Sequence, residues 1–130
     1  MMQIMAVGCG GFLGAVARYS LSSFVGRRMG EGFPAGTLAV NVLGCLLIGA
    51  LMSVVATRES VSPEMRLLLS TGFLGGLTTF SSFGQETVEL LRAGDIRLAL
   101  LNTGLNVILG LLAVLAGGFL ARLVLNSPAG

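Results

Sequence analysis

The sequence contains no histidine and no lysine, and its two cysteines, Cys9 and Cys45, lie far apart and form no CxxC pattern. Without histidine there is no histidine-based catalytic centre and no ordinary side-chain cage for a metal. The cysteines point to neither a metal site nor a structural disulfide, and read as small core thiols. Charge is also scarce. Only 11% of the 130 residues are charged, where a soluble domain carries roughly a quarter. The net charge of +2 is too small to point to nucleic acid. The start, Met1-Met2-Gln3, lacks the basic residues of a secretory leader, and glycines 8, 10, 11 and 14 interrupt the apolar stretch behind it. Ala15-Val16-Ala17 is therefore not read as a cleavage site, although its residues are small.

Apolar sequence is abundant: 54% of residues are hydrophobic, with a mean hydropathy of +0.91. A bilayer crossing needs about 20 mostly apolar residues, and four such runs lie at about 4–24, 35–56, 66–91 and 98–124. Short polar joints separate them, and no stretch is left for a soluble domain. The expectation is an all-α integral membrane protein, one membrane domain over 1–130 with four transmembrane helices, because backbone polar groups in hydrocarbon must be satisfied internally. Pro34 suits the start of the second run, and Ser62-Pro63-Glu64 suits a cap for the third.

Orientation follows the positive residues of the joints. On the side shared by both termini lie Arg58, Arg66 and Arg122; opposite lie Arg27, Arg28, Arg92 and Arg97, with Arg18 near them at the end of the first run. Three against four is almost no bias. A chain of this kind inserts both ways round, which predicts dual topology and an antiparallel homodimer.

The third run differs from a plain anchor. Gly72, Gly75 and Gly76 are followed by Thr78 and Thr79, a cluster of poor helix formers. We expect a broken helix near mid-membrane, with an inbound half to about residue 74, an unwound turn, and an outbound half from about 79. Such backbone is tolerated at depth only where protein buries it or it lines a polar cavity. Its free carbonyls suit a cation, and the N-terminus of the outbound half suits an anion. The alternative is an intact helix softened by glycine.

Polar side chains recur on single helix faces. Thr79, Ser82 and Glu86 form one stripe, Phe80 and Phe83 a neighbouring one; Thr37 and Asn41, like Asn102 and Asn106, are spaced i, i+4. Each has a plainer reading: asparagines tie helices together, phenylalanines pack cores, and Glu86 and Arg18 sit near a membrane face, Arg18 snorkelling. Their convergence in one small chain favours a conduit. The first and second runs hold no acid, so the interior supplies amide and hydroxyl donors and the positive edges of phenylalanine rings. Donors without fixed positive charge suit a small, strongly hydrated anion; the residues do not single out which.

Three blocks carry a resemblance: Gly10-Gly11-Phe12-Leu13-Gly14-Ala15-Val16-Ala17-Arg18-Tyr19, Gly36-Thr37-Leu38-Ala39-Val40-Asn41, and Gly72 through Phe83. Together they resemble the signature blocks of the Fluc (CrcB) fluoride channels. The resemblance implies an antiparallel dual-topology homodimer with two pores, carrying fluoride passively out across the bacterial plasma (inner) membrane. It implies a fluoride pathway through Asn41, Phe80 and Phe83, with Thr37, Thr79, Ser82 and Glu86 as a polar track and Arg18 at the vestibule. It also implies a structural sodium ion at the dimer interface, held by the backbone carbonyls of Gly75 and Thr78. Asn102 and Asn106 fit the polar face of the fourth span without a fixed motif. Membrane lipids and a second copy of the chain are the expected partners, and no enzymatic activity is expected. The rivals are proton-coupled exporters. One of small multidrug resistance type looks to a glutamate in its first span, which is absent here; a fluoride antiporter would use Glu86 as proton carrier. A holin-like lysis protein would need neither paired asparagines nor an interrupted third span.

Overall fold

The computed structural model describes residues 1–30, 32–57 and 61–126. Arg58, with Glu59 and Ser60 of the joint expected from Thr57 to Glu64, lies outside them. Among the described residues every regular element is helical. Helix α1 spans Met2–Met29, α2 Ala35–Thr57, α3 Pro63–Leu67, α4 Gly75–Leu77, α5 Phe80–Arg92 and α6 Ile96–Leu125; a π-helical stretch, Leu68–Leu74, joins α3 to α4. Three of these, α1, α2 and α6, are long and apolar enough to cross a membrane. The chain is a multi-pass membrane protein.

Local chemistry explains the ends. α1 continues through the first expected joint as far as Met29, because Arg28 stacks its guanidinium 4.9 Å from the Phe24 ring and both arginines of the last turn complement the helix dipole. It stops at Gly30, whose φ is 84°. Pro34 stands just ahead of α2 rather than inside it, its carbonyl accepting from the Leu38 N–H at 3.2 Å. Ser62 caps α3 by accepting from the Met65 N–H at 3.2 Å, with Pro63 in the first turn. α5 ends in a Schellman turn: Asp95 N–H reaches the Leu90 carbonyl at 2.9 Å and Gly94 N–H the Leu91 carbonyl at 3.1 Å, with Gly94 at φ 84°.

Two close backbone seams hold the bundle. α1 lies along the π-helical stretch and α4, and α2 lies along α6. At Gly14 a side chain would collide with the Phe73 carbonyl; at Gly117 it would collide with the Leu46 carbonyl. In both places helix backbones touch, the packing that replaces hydrophobic drive inside lipid. Between the seams Val40, Leu74 and Leu77 are buried together, with Ala17, Leu21 and Phe73 packed on them.

The interruption falls later than the sequence implies. Gly75 to Leu77 remain helical, and only Thr78 (φ −85°, ψ 156°) and Thr79 (φ −152°, ψ 109°) are extended. Gly72 and Gly76 are spent on contact instead: side chains there would run into the backbone of Val7 and Gly10, and of Gly11 and Ala15. The glycines dock this segment on α1, and the threonines leave the helix.

Candidate functional site

Thr79 is where the site is assembled. Extended backbone leaves the Thr79 N–H without a helical partner, and Asn41 of α2 takes it and donates to the Thr79 carbonyl as well. Asn41 Oδ1 accepts from Thr79 N–H at 2.8 Å, and Asn41 Nδ2 donates to the Thr79 carbonyl at 3.2 Å. In a continuous helix Thr79 N–H would serve the carbonyl four residues back, that of Gly75. Asn41 therefore releases the Gly75 carbonyl. Thr79 itself caps α5, its Oγ1 accepting from Ser82 N–H at 3.2 Å and donating to Ser82 Oγ at 3.0 Å. The first turn of α5 is thus set immediately beside Asn41, and it carries both phenylalanines.

Two cavities meet at Thr79. The first, about 420 Å³, is walled by Asn41, Phe80, Phe83 and Asn106, together with Gly75 and Thr78. Its two rings lie 5.3 Å apart, tilted by 58°. Phe83 is only 9% exposed and Phe80 83% exposed, so one ring belongs to the chain's own packing and the other stands outside it. The second cavity, about 300 Å³, is walled by Arg18, Thr37, Thr79, Ser82 and Glu86. Thr37 Oγ1 donates to Glu86 Oε1 at 2.6 Å, while the buried Glu86 Oε2 has no hydrogen-bond partner among the described residues. Glu86 also borders two further cavities that open toward Gly26 and toward Asp95. Spaces bordered by Glu86 therefore continue along α5 from Thr79 past Glu86.

The structure brings eleven of the candidate residues into this region: Thr79 itself, with Asn41, Gly75, Thr78, Phe80, Phe83 and Asn106 on one side of it, and Thr37, Ser82, Glu86 and Arg18 on the other. Arg18 also reaches back, its Nη1 lying 3.4 Å from the Thr78 carbonyl. Asn102 is completely buried and meets the site through Asn106, whose Nδ2 donates to the Asn102 carbonyl and Oδ1 at 3.0 Å each, and through Thr87. Thr87 was not foreseen. Its hydroxyl donates to the Phe83 carbonyl at 2.8 Å and accepts from Asn102 Nδ2 at 2.9 Å. Its one sequence signal is its place four residues after Phe83, on the same helix face.

A family model described as "CrcB-like protein, Camphor Resistance (CrcB)" matches residues 5–118. The chain belongs to the CrcB family. Among its relatives is a protein of Clostridium novyi (strain NT), 42% identical over 91% of this chain and 92% of its own. A protein of Sorangium cellulosum (strain So ce56) is 46% identical over 89% and 91%, and one of Stutzerimonas stutzeri (strain A1501) 47% identical over 91% and 95%. All three are described as fluoride-specific ion channels, FluC. The family match covers the whole of α2 to α5, and so both cavities and every residue that joins them.

Proposed function

We propose that this CrcB chain is a fluoride channel that lets fluoride leave the cytoplasm passively across the bacterial plasma membrane, lowering its toxicity there. Kinship at 42–47% identity with proteins described as fluoride-specific ion channels is the observation that carries the ion. The arrangement around Thr79 supports a path for it: the cavity of Asn41, Phe80 and Phe83, then the polar track of Thr37, Ser82 and Glu86, with Arg18 beside it at the vestibule. Fluoride holds its water tightly, so a pathway must offer closely spaced donors without a charge that would trap the ion. Amide and hydroxyl hydrogens and phenylalanine ring edges are donors of that kind.

The working unit is an antiparallel dual-topology dimer with two pores. Each subunit crosses four times, its third span running from α3 through α5 and interrupted at mid-membrane by Thr78 and Thr79. Exposure of Phe80 and Gly75 at the interruption supports a second copy there, as does the almost even spread of arginines. The same exposed backbone suits a structural sodium ion. Asn41 frees the Gly75 carbonyl, and Thr78 turns its own out of the helix, where among the described residues it meets a long contact from Arg18. Both are hard oxygen ligands of the kind that unwound membrane helices offer sodium. Bound between two copies, the ion would neutralise carbonyls that the interruption leaves bare.

The test is fluoride efflux from proteoliposomes, read with a fluoride electrode, with and without a proton gradient. Efflux that follows the fluoride gradient alone fits the channel. Efflux that follows the proton gradient would instead favour a proton-coupled exporter using Glu86, and no fluoride efflux would end the reading.

A further inference from the structure

Behind Asn41 lies one continuous hydrogen-bonded chain. It starts at the Phe83 carbonyl, which accepts from Thr87 Oγ1 at 2.8 Å. With its proton committed there, the Thr87 oxygen accepts from Asn102 Nδ2 at 2.9 Å. Asn102 Oδ1 accepts from Asn106 Nδ2 at 3.0 Å, and Asn106 Oδ1 from Asn41 Nδ2 at 2.9 Å. The chain ends where Asn41 Oδ1 accepts from Thr79 N–H at 2.8 Å. Its two ends are backbone groups of fixed sense: a carbonyl can only accept, and an N–H can only donate. Every amide between them can therefore point only one way. A reversed Asn106 would set NH2 against NH2; a reversed Asn41 would set NH2 against the Thr79 N–H.

We infer that Thr87 and Asn102 are positioning residues whose hydrogen bonds hold the amide of Asn106 in the wall of the phenylalanine cavity, with its Oδ1 toward Asn41 Nδ2. This rests on the fluoride reading and goes beyond it. The site's preference for an anion is then set partly by groups that no anion touches. Asn102 is fully buried, and neither it nor Thr87 is among the residues walling the phenylalanine cavity. Thr79 already fixes the sense of the Asn41 amide, donating to Oδ1 and accepting from Nδ2; the chain adds Asn106 Oδ1 as the second acceptor for Nδ2. Without the Thr87 hydroxyl the buried Asn102 Nδ2 loses its acceptor and Asn102 its fixed hold on Asn106. The Asn106 amide then shifts in the cavity wall, which lowers flux and weakens discrimination against other ions.

The test compares Thr87→Val, which keeps the shape and loses the hydroxyl, with Thr87→Ser, which keeps the hydroxyl. Full-length protein is reconstituted in vesicles, and both fluoride flux per active vesicle and the fluoride-to-chloride permeability ratio are measured. Thr87→Val should lower flux about tenfold, the scale of one hydrogen bond's orienting effect, and should lower the ratio as well. Thr87→Ser should behave as the unmodified protein. In an Asn106→Ala background Thr87→Val should add no further loss, because its effect passes through Asn106. A folded Thr87→Val dimer with unaltered flux and ratio overturns the proposal. The fluoride reading would survive that result, since the unmodified protein tests it in the same vesicles. If Thr87→Val yields no dimer, Thr87→Ala repeats the comparison with less bulk. Failure of both to assemble, with Thr87→Ser normal, would make Thr87 a purely structural residue and overturn the proposal too.

Discussion

At the scale of single residues, Asn41 does two jobs that one substitution separates. Its Oδ1 holds Thr79 N–H, which keeps α5 displaced from α4; its Nδ2 serves Thr79 O and Asn106. Asn41→Asp retains the first function and removes the second at nearly constant volume, while facing a negative charge toward two acceptors. Fluoride flux should fall at least about tenfold, equivalent to about 1.4 kcal/mol, with the dimer unchanged by gel filtration. Normal efflux from a folded Asn41→Asp protein would remove Asn41 from the pathway. Phe80 is the complementary case. At 83% exposure it contributes little to the packing of its own chain, so Phe80→Ile should leave helix content unaltered by circular dichroism. Its flux should still drop sharply, because an aliphatic side chain has no positive ring edge to offer. Loss of folding with normal flux in the remaining dimer would favour simple packing.

Among helices, the decisive contacts are between backbones. Gly117 lies against Leu46, and the atom that an added methyl would strike is a main-chain oxygen, which cannot swing aside. Gly117→Ala should therefore destabilise the α2–α6 seam by about 1–3 kcal/mol, seen as a lower midpoint of thermal unfolding in detergent. Gly8→Ala, where the methyl meets nothing within the chain, should leave that midpoint almost unaltered. The same contacts explain what the sequence conceals. Hydrophobic runs are local, so α1, α2 and α6 are readable from composition, and i, i+4 spacing correctly puts Thr37 with Asn41 and Asn102 with Asn106 on single faces. Spacing does not say which faces meet. The bond from Asn41 to Asn106 spans 65 positions and that from Asn102 to Thr87 spans 15, so the role of Thr87 has no local signature. The glycines of residues 72–76 are ambiguous for a related reason: glycine permits both unwinding and close approach. Only the position of α1, against which Gly72 and Gly76 pack, decides that they serve approach, with the loss of helix deferred to Thr78 and Thr79.

For the whole molecule, surface area gives the first constraint. The single chain exposes 8504 Å², whereas a compact soluble protein of this mass exposes about 6,500 Å². The excess is apolar: Phe12, Tyr19, Phe80, Leu111, Leu115 and Phe119 are all more than half exposed. Such surface belongs against lipid or against another copy. Phe80 lies at the interruption beside exposed Gly75, where polar backbone would be costly against lipid, so that region is best satisfied by protein. A parallel pair about a two-fold axis along the membrane normal would bring like ends of α5 together. An antiparallel pair lets each copy cover the other's bare backbone about a two-fold axis. That arrangement needs both orientations in one membrane, and the expected count of three positive residues on the terminus side against four on the other favours it. C-terminal fusions to reporters active only in the cytoplasm or only outside it should both give signal, in comparable amounts, from the same sequence. Adding two arginines after α6 should bias insertion toward one orientation. Fluoride efflux should then fall, because copies of one orientation lack partners, and coexpression with an oppositely biased variant should restore it. A reporter signal confined to one side, or full efflux from a strongly biased chain alone, would rule out the antiparallel dimer.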